Sequence, residues 1–456
     1  MSATALILAA GEGTRMKSSL PKVAHKVLGS AMLSHVVASA RAAGIERILV
    51  VTGHGAEAVE ALLNHEPVEC VRQPERLGTG DAVRCALDAA GPVAGPVLVL
   101  SGDTPLIRPE TIRMLIEAQA ASGAACVMLS AVQPDPHGYG RIVRGADGSV
   151  RAIVEQRDLP PDLLGIAECN AGTYCFDGEA LSAYLGRIET ANAQGEYYLT
   201  DLVGLFAGAG LRVDAIVADD AEESQGVNTR VQLAAVTAAM QRRINVRHML
   251  AGVTMTGPDL VWIGPNVTLG RDVILEPMTF LYGDIRVGDG SVIGPDTRIT
   301  DSVVGRECVV DSSIVVGSTL ADRVSVGPRA YLRPGTVMDD DSKAGTSVEI
   351  KKSHIGIGSK VPHLSYIGDA TLGVGVNIGA GTITCNYDGK KKNPTVIGDR
   401  VFIGSDTMLV APVTIGDDAV TAAGSAITQD VPAGALAIER CEQQSIEGWA
   451  EFLRGE

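Results

Sequence analysis

The stretch Ile397-Gly-Asp-Arg-Val-Phe-Ile403-Gly-Ser-Asp-Thr-Met-Leu409-Val-Ala-Pro-Val-Thr-Ile415-Gly-Asp-Asp-Ala-Val-Thr421-Ala-Ala-Gly-Ser-Ala-Ile427 places an aliphatic residue or threonine at every sixth position. An α-helix repeats every 3.6 residues and a strand every two, so neither buries that register alone. A parallel β-helix does: each triangular coil takes three hexads, turns the aliphatics inward and makes its corners at small residues. The same pairing of an aliphatic with glycine occurs earlier, at Ile263-Gly264, Ile293-Gly294 and Ile367-Gly368, so the repeat runs from about Val261 to Thr428. A left-handed parallel β-helix of hexapeptide repeats is expected there.

The chain has 456 residues, too many for one ordinary core, so two or three domains are expected. Aromatic residues make up only 4%, which suits narrow coils and close-packed sheets. A net charge of -16 argues against nucleic acid and anionic membranes, which select basic surfaces. Any phosphate ligand must therefore be met by a few local cations. The segment Met1 to Ala10 has no basic leader and runs straight into a strand, and no apolar run is long enough to span a bilayer. A soluble, cytoplasmic protein without membrane insertion is expected. The eight cysteines lack zinc-ligand spacing and sit mostly beside apolar residues, so reduced, mostly buried thiols are expected.

The N-terminal 228 residues alternate apolar runs with helix-period segments. Strands are expected at 5–10, 47–52, 68–71, 97–101 and 125–131, all buried, with helices at 31–43, 56–64 and 81–90 between them. That order predicts a Rossmann-like, mostly parallel sheet with ligands at the carboxyl ends of its strands. Residues 228–250 contain no Gly or Pro and show i, i+3, i+4 apolar spacing, which predicts a helix joining two domains. Residues 444–454 form a polar tail with Trp449 and Phe452, expected to dock on a neighbour.

Leu8-Ala9-Ala10-Gly11-Glu-Gly13-Thr-Arg15 follows the first strand, and Lys22 follows soon after. The segment matches neither the dinucleotide fingerprint nor the P-loop. Two glycines still let backbone N–H groups approach phosphate oxygens, while Arg15 and Lys22 supply charge. A glycine loop alone is as often a plain turn; the two cations favour a ligand. Asp103 ends the strand 97–101, where a carboxylate either caps a turn or shares a metal ion with phosphates, as Mg²⁺ prefers.

These residues, with Gln73, Gly78, Thr79, Gly140, Glu155, Asn170 and Asn228, resemble in order and spacing the sugar-phosphate nucleotidyltransferases. Within them the chain is most similar to the bacterial bifunctional enzymes that join N-acetylglucosamine-1-phosphate uridyltransferase to glucosamine-1-phosphate acetyltransferase. The resemblance covers nearly the whole chain. It implies an α/β uridylyltransferase domain at 1–228, a helical linker at 229–250 and a β-helix acetyltransferase with a C-terminal tail at 251–456. It further implies that Leu8, Ala9, Ala10, Gly11, Arg15, Lys22, Gln73, Gly78 and Thr79 hold UTP. Gly140, Glu155 and Asn170 would hold the N-acetylhexosamine, and Asp103 and Asn228 would hold Mg²⁺. The attacking phosphate oxygen is already ionised, so no general base is expected in this half. The role of the stretch Glu196 to Asp201 stays open.

In the β-helix, polar residues interrupt the hexads around Arg333, Lys351, His363, Tyr366, Asn377 and Asn386, and stacking of coils about 4.8 Å apart brings such residues together. A lone histidine on a solenoid is usually a surface residue. The resemblance implies instead that His363 is the general base removing a proton from an amine as it attacks a thioester. Pro362 before it fixes φ without removing that base. By the same resemblance Arg333, Lys351, Tyr366 and Asn377 bind glucosamine 1-phosphate. Ala380, Asn386, Tyr387, Lys392, Ser405, Ala423 and Arg440 contact acetyl-CoA, and a homotrimer builds the site. Two other readings are a nucleotidyltransferase with a mute β-helix scaffold and a non-enzymatic solenoid binding protein. The first has no use for His363, Tyr366 and Asn377, and the second none for Lys22 and Asp103.

Overall fold

A computed structural model describes residues 3–91 and 93–455. The chain divides into two compact units, one ending at Met240 and the other beginning at Gln241. The division falls inside the helix Arg230–Leu250.

The first unit is built on a nine-stranded sheet whose main path runs Val213–Val217, Cys126–Val132, Glu168–Asp177, Pro96–Ser101, Thr4–Ala9, Arg47–Thr52, Glu69–Arg72. Thr4–Ala9 pairs in parallel with both Arg47–Thr52 and Pro96–Ser101. Along Thr4–Ala9 the side chains alternate between two cores: Leu6 packs with Leu49, Val97 and Val99, while Ala5, Ile7 and Ala9 pack with Ile48, Val50 and Leu98 on the other face. Both faces are thus covered, which is why these strands read as unbroken apolar runs. Each fully buried aliphatic contributes about 1.5–3 kcal/mol. Because the chain moves outward on one side of Thr4–Ala9 and then returns to its other side, the carboxyl ends of Thr4–Ala9 and Pro96–Ser101 form a topological switch point.

Glu168–Asp177 lies antiparallel between Pro96–Ser101 and Cys126–Val132, and the hairpin Arg141–Arg144/Val150–Val154 attaches to it. The expected buried strand at 68–71 is instead the edge strand Glu69–Arg72, with Glu69, Cys70 and Arg72 exposed. Its polar residues suit an edge, where only one side is paired. The expectation of mostly buried thiols is corrected with it: Cys126, Cys169, Cys175 and Cys308 are buried, Cys85 and Cys385 are intermediate, and Cys70 and Cys441 are exposed.

The second unit is a left-handed parallel β-helix of three sheets with eleven, ten and nine strands. Leu281, Ile299, Val315, Leu332, Ile350 and Ile367 stand in register on successive coils, each fully buried. Outward neighbours such as Phe280, Arg298, Tyr331 and Tyr366 are the alternate residues of the same short strands. Aspartates fasten the corners: the carboxylates of Asp289, Asp322, Asp399 and Asp417 each accept the backbone N–H of a residue one coil earlier at 2.8 Å. Pairing continues past Thr428 to Leu436–Ala437, which stacks on Val420–Thr421 although the hexads have faded. The tail ends in a short helix, Trp449–Arg454, with Trp449 and Phe452 exposed and in ring contact.

Candidate functional site

The switch point of the sheet opens into a cleft of about 430 Å³ lined by Leu8, Ala9, Ala10, Gly11, Lys22, Gln73, Gly78, Thr79 and Asp103. Glu12, Arg76 and Glu196 also line it, and Arg76 pairs with Glu12 at 2.5 Å across the rim. Gly13 takes a left-handed φ of 68°, and a Cβ there would strike the Lys22 side chain at 2.6 Å. That glycine lets Lys22 cross the loop to donate to the Asp103 carboxylate and, at 3.1 Å, to Asn228 Oδ1. The guanidinium of Arg15 donates to the same Asn228 oxygen at 3.0 Å. Buried Gln73 donates to Asp81 at 2.7 Å and to the Gly78 carbonyl at 3.2 Å, fixing the turn that begins the helix Thr79–Ala90.

Gly140, Glu155 and Asn170 form a second group beside this cleft rather than lining it. Asn170 N–H donates to the Gly140 carbonyl at 2.9 Å, and a Cβ on Gly140 would sit 3.3 Å from Glu155 Oε1. Burial raises the Glu155 carboxyl above its usual range, and the Thr200 hydroxyl donates to it at 3.2 Å. The stretch Glu196 to Asp201 ties the two groups together. Gly80 N–H donates to the Tyr197 carbonyl at 2.8 Å, Leu199 N–H to Thr79 Oγ1 at 3.0 Å, and Thr200 reaches Glu155. Sequence reasoning left this stretch open and missed Asp81, whose only signal is a carboxylate on the buried side of a helix's first turn. A larger hollow of about 540 Å³ beside Val213–Val217 contains none of the predicted residues, and its arginines are already paired, Arg144 with Glu168 and Arg212 with Asp214.

On the β-helix, stacked coils gather Arg333, Lys351, Tyr366, Asn386 and Lys392. Arg333 pairs with Glu349 at 2.9 Å, and Lys351, largely buried, pairs with Asp369 at 3.2 Å. Asn386 donates to Asp369 at 2.6 Å and to the Tyr366 hydroxyl at 3.4 Å. A Cβ at Gly368 would stand 2.5 Å from the Tyr366 hydroxyl and 2.7 Å from Asn386 Nδ2, so glycine lets those two side chains meet there. Lys392 lies beside Lys351, and that neighbour lowers the Lys392 pKa, while the Lys392 neighbour and then Asp369 raise that of Lys351. His363 is exposed at the end of the strand Lys360–His363, one corner before Tyr366 on the next sheet, and its carbonyl accepts from Ser365. Asn377 lies in register with Lys360 on the following coil. Ala380, Ser405 and Ala423 occupy stacked corners, with Asp406 N–H bonded to the Ala380 carbonyl and Gly424 N–H to that of Ser405. Arg440 donates to the Ala423 carbonyl at 3.1 Å, and Tyr387 projects on an exposed loop. The predicted coenzyme residues thus divide: Asn386 and Lys392 join the cation cluster, whereas Ala380, Ser405, Ala423 and Arg440 form a separate column.

Residues 5–158 match the family described as MobA-like NTP transferase domain, and residues 394–429 match bacterial transferase hexapeptide (six repeats). A protein of Heliobacterium modesticaldum called bifunctional protein GlmU is 50% identical, the match covering 98% of this chain and 97% of that protein. Proteins of the same name from Trichlorobacter lovleyi and Streptomyces avermitilis are each 48% identical over 98% and 99% of the chain. The chain belongs to the bifunctional GlmU family. It is therefore an enzyme of UDP-N-acetylglucosamine synthesis, a nucleotidyltransferase joined to a hexapeptide-repeat acetyltransferase, with nucleotide, sugar-phosphate and acetyl-CoA substrates.

In this GlmU-family chain the carboxyl end of Pro96–Ser101 also offers oxygen donors of the kind a hard cation takes. Asp103 and Asn228 direct two hard oxygen donors at one point, where the Lys22 ammonium now stands as a cation. Among the described residues no three His, Cys, Asp or Glu side chains gather for a metal. Two protein oxygens facing a phosphate loop nevertheless fit a hydrated Mg²⁺ completed by substrate phosphates. Among the described residues no helix is long and apolar enough to cross a membrane.

Proposed function

We propose that the β-helix site acetylates glucosamine 1-phosphate and that the α/β site then joins the product to UTP. In the first reaction the glucosamine nitrogen attacks the thioester carbonyl, the C–N bond forms, the C–S bond breaks, and His363 takes the proton released by the nitrogen. Arg333, Lys351, Tyr366 and Asn377 hold the sugar phosphate. Asn386, Tyr387, Lys392, Ala380, Ser405, Ala423 and Arg440 hold the coenzyme. Support comes from the stacking of Arg333, Lys351 and Lys392, three cations that share only the two carboxylates of Glu349 and Asp369, which leaves charge for an anion.

In the second reaction a phosphate oxygen of N-acetylglucosamine 1-phosphate attacks the α-phosphorus of UTP and pyrophosphate leaves. The nucleophile is already ionised, so positioning and charge neutralisation suffice. Leu8 to Gly11, Gln73, Gly78 and Thr79 orient the nucleotide, Gly140, Glu155 and Asn170 orient the sugar, and Arg15 and Lys22 neutralise phosphates. Mg²⁺ held by Asp103 and Asn228 supplies further neutralisation when bound. The observation that carries this half is the meeting of Lys22, Arg15, Asp103 and Asn228 at the switch point. A homotrimer built through the β-helix, working in the cytoplasm where UTP and acetyl-CoA are made, completes the proposal, and its product serves cell-wall and lipopolysaccharide synthesis. The deciding experiment is thiol release from acetyl-CoA with glucosamine 1-phosphate as acceptor, without UTP, in wild type and His363→Ala. Sugar-dependent release that vanishes in the variant is expected. No release from the folded wild type would reduce the β-helix to a scaffold.

A further inference from the structure

Between the strands Ile383–Cys385 and Thr395–Ile397 the chain leaves the hexapeptide repeat and makes an excursion carrying Asn386, Tyr387 and Lys392. The backbone folds it into a short ribbon: Asn393 N–H donates to the Asn386 carbonyl at 2.7 Å, Tyr387 and Lys392 form an antiparallel bridge, and Asp388 N–H donates to the Lys391 carbonyl at 3.2 Å. A two-stranded ribbon of this size is marginal in water. This one must also carry three consecutive lysines and hold the Lys392 amine against that of Lys351, a like-charge approach.

The group that closes the ribbon is the Asp388 carboxylate. Its Oδ1 accepts the backbone N–H groups of Lys390 and Lys391, each at 2.9 Å, and its Oδ2 accepts from Asn393 Nδ2 at 3.0 Å. Those bonds, with Lys391's charge, hold the carboxyl down to about 2, so it stays ionised at any working pH. One side chain thus ties the tip of the excursion to its base.

We propose that Asp388, paired with Asn393, is a positioning residue for acetyl transfer: its carboxylate clasps the excursion so that Asn386, Tyr387 and Lys392 are held ready for the phosphate-bearing coenzyme. This rests on the reading of those three residues as coenzyme contacts. The clasp lowers the ordering entropy left to be lost on binding, so its loss falls on affinity rather than on the chemical step.

Asp388→Ala is expected to raise KM for acetyl-CoA about tenfold while changing kcat less than about twofold, with the calorimetric Kd of free coenzyme A rising in step. Asp388→Asn keeps an oxygen for the two backbone N–H groups but loses the charge and obliges the Asn393 amide to turn, and it is expected to bind with an affinity between wild type and the alanine variant. The double variant Asp388→Asn with Asn393→Asp reverses the polarity of the clasp and is expected to recover most of the affinity. A lower kcat with unchanged KM, or a double variant as weak as Asp388→Asn, overturns the proposal. Tyr387→Ala separates it from the reading beneath it. If KM for acetyl-CoA rises in Tyr387→Ala but not in Asp388→Ala, the clasp alone is wrong. If it rises in neither, the excursion does not bind the coenzyme and both fall.

Discussion

The two units build their proposed anion sites in opposite ways. In the α/β unit the decisive hydrogen bonds join residues far apart in sequence, 81 residues for Lys22 with Asp103, 206 for Lys22 with Asn228 and 213 for Arg15 with Asn228. In the β-helix the corresponding bonds span 16 residues for Arg333 with Glu349, 18 for Lys351 with Asp369, and 17 for Asn386 with Asp369. The first site exists because a sheet reverses its order and brings loop ends together. The second exists because one coil lies on the next, so a side chain meets whatever stands one turn away. A solenoid lets a site be assembled from neighbours, whereas a doubly wound sheet must fold as a whole before its site exists.

The sharpest way to break this separation is to remove one site and assay both. His363→Ala is expected to lower acetyl transfer by about 10²–10⁴-fold, the usual contribution of a general base, with pyrophosphate release from UTP and N-acetylglucosamine 1-phosphate unchanged. Asp103→Ala is expected to do the converse, lowering pyrophosphate release by about 10²–10³-fold while thiol release persists. Loss of both activities in either folded variant would mean that the units do not work independently.

Stability offers a finer comparison. Glu223 is buried, and its carboxylate accepts Arg108 N–H at 3.0 Å, the Arg108 guanidinium at 2.5 Å and the Thr111 hydroxyl at 2.6 Å, anchoring the segment that leads to Asn228. Glu223→Ala is expected to cost the α/β unit about 1–3 kcal/mol, seen calorimetrically as one shifted transition with the β-helix transition unmoved. Two transitions shifting together would show that the units unfold as one.

The smallest expected effect is the part of the second unit's pH dependence that His248 carries. Burial, and then the Arg247 charge, hold the His248 imidazole at about 4. The unfolded chain therefore takes up this proton first as pH falls below about 6.5, so the stability is fully present above that pH and is lost progressively down to about 4. His248→Leu should flatten the midpoint of the β-helix transition across that window relative to wild type. An unchanged slope assigns the dependence to another group.

Ladders such as Leu332, Ile350 and Ile367 were readable because every coil repeats one environment, so the hexad period is a direct image of the tertiary structure. The parallel order of the α/β sheet showed equally in its apolar runs, but the antiparallel strand Glu168–Asp177 did not, since a strand's direction leaves no mark on its own composition. Glu69–Arg72 was misjudged as buried because an edge is defined by the neighbour it lacks. Among site residues, the loop from Leu8 to Gly11 with Lys22 announced itself through glycine next to charge. Asp369 and Asp81 did not, because a carboxylate that holds another side chain looks, in one dimension, like any surface acid.

The amino-acid sequence by itself determined the two architectures, the glycine-rich loop with its cations after the first strand and the polar breaks in the hexads, because all of these follow from local period and residue type. Only the tertiary structure decided that Lys22 meets Asp103 and Asn228 across more than 80 residues, that Lys392 leans on Lys351, and that Asp388 clasps its loop. Those are contacts between distant or facing side chains, and their existence depends on where the backbone carries each one in space.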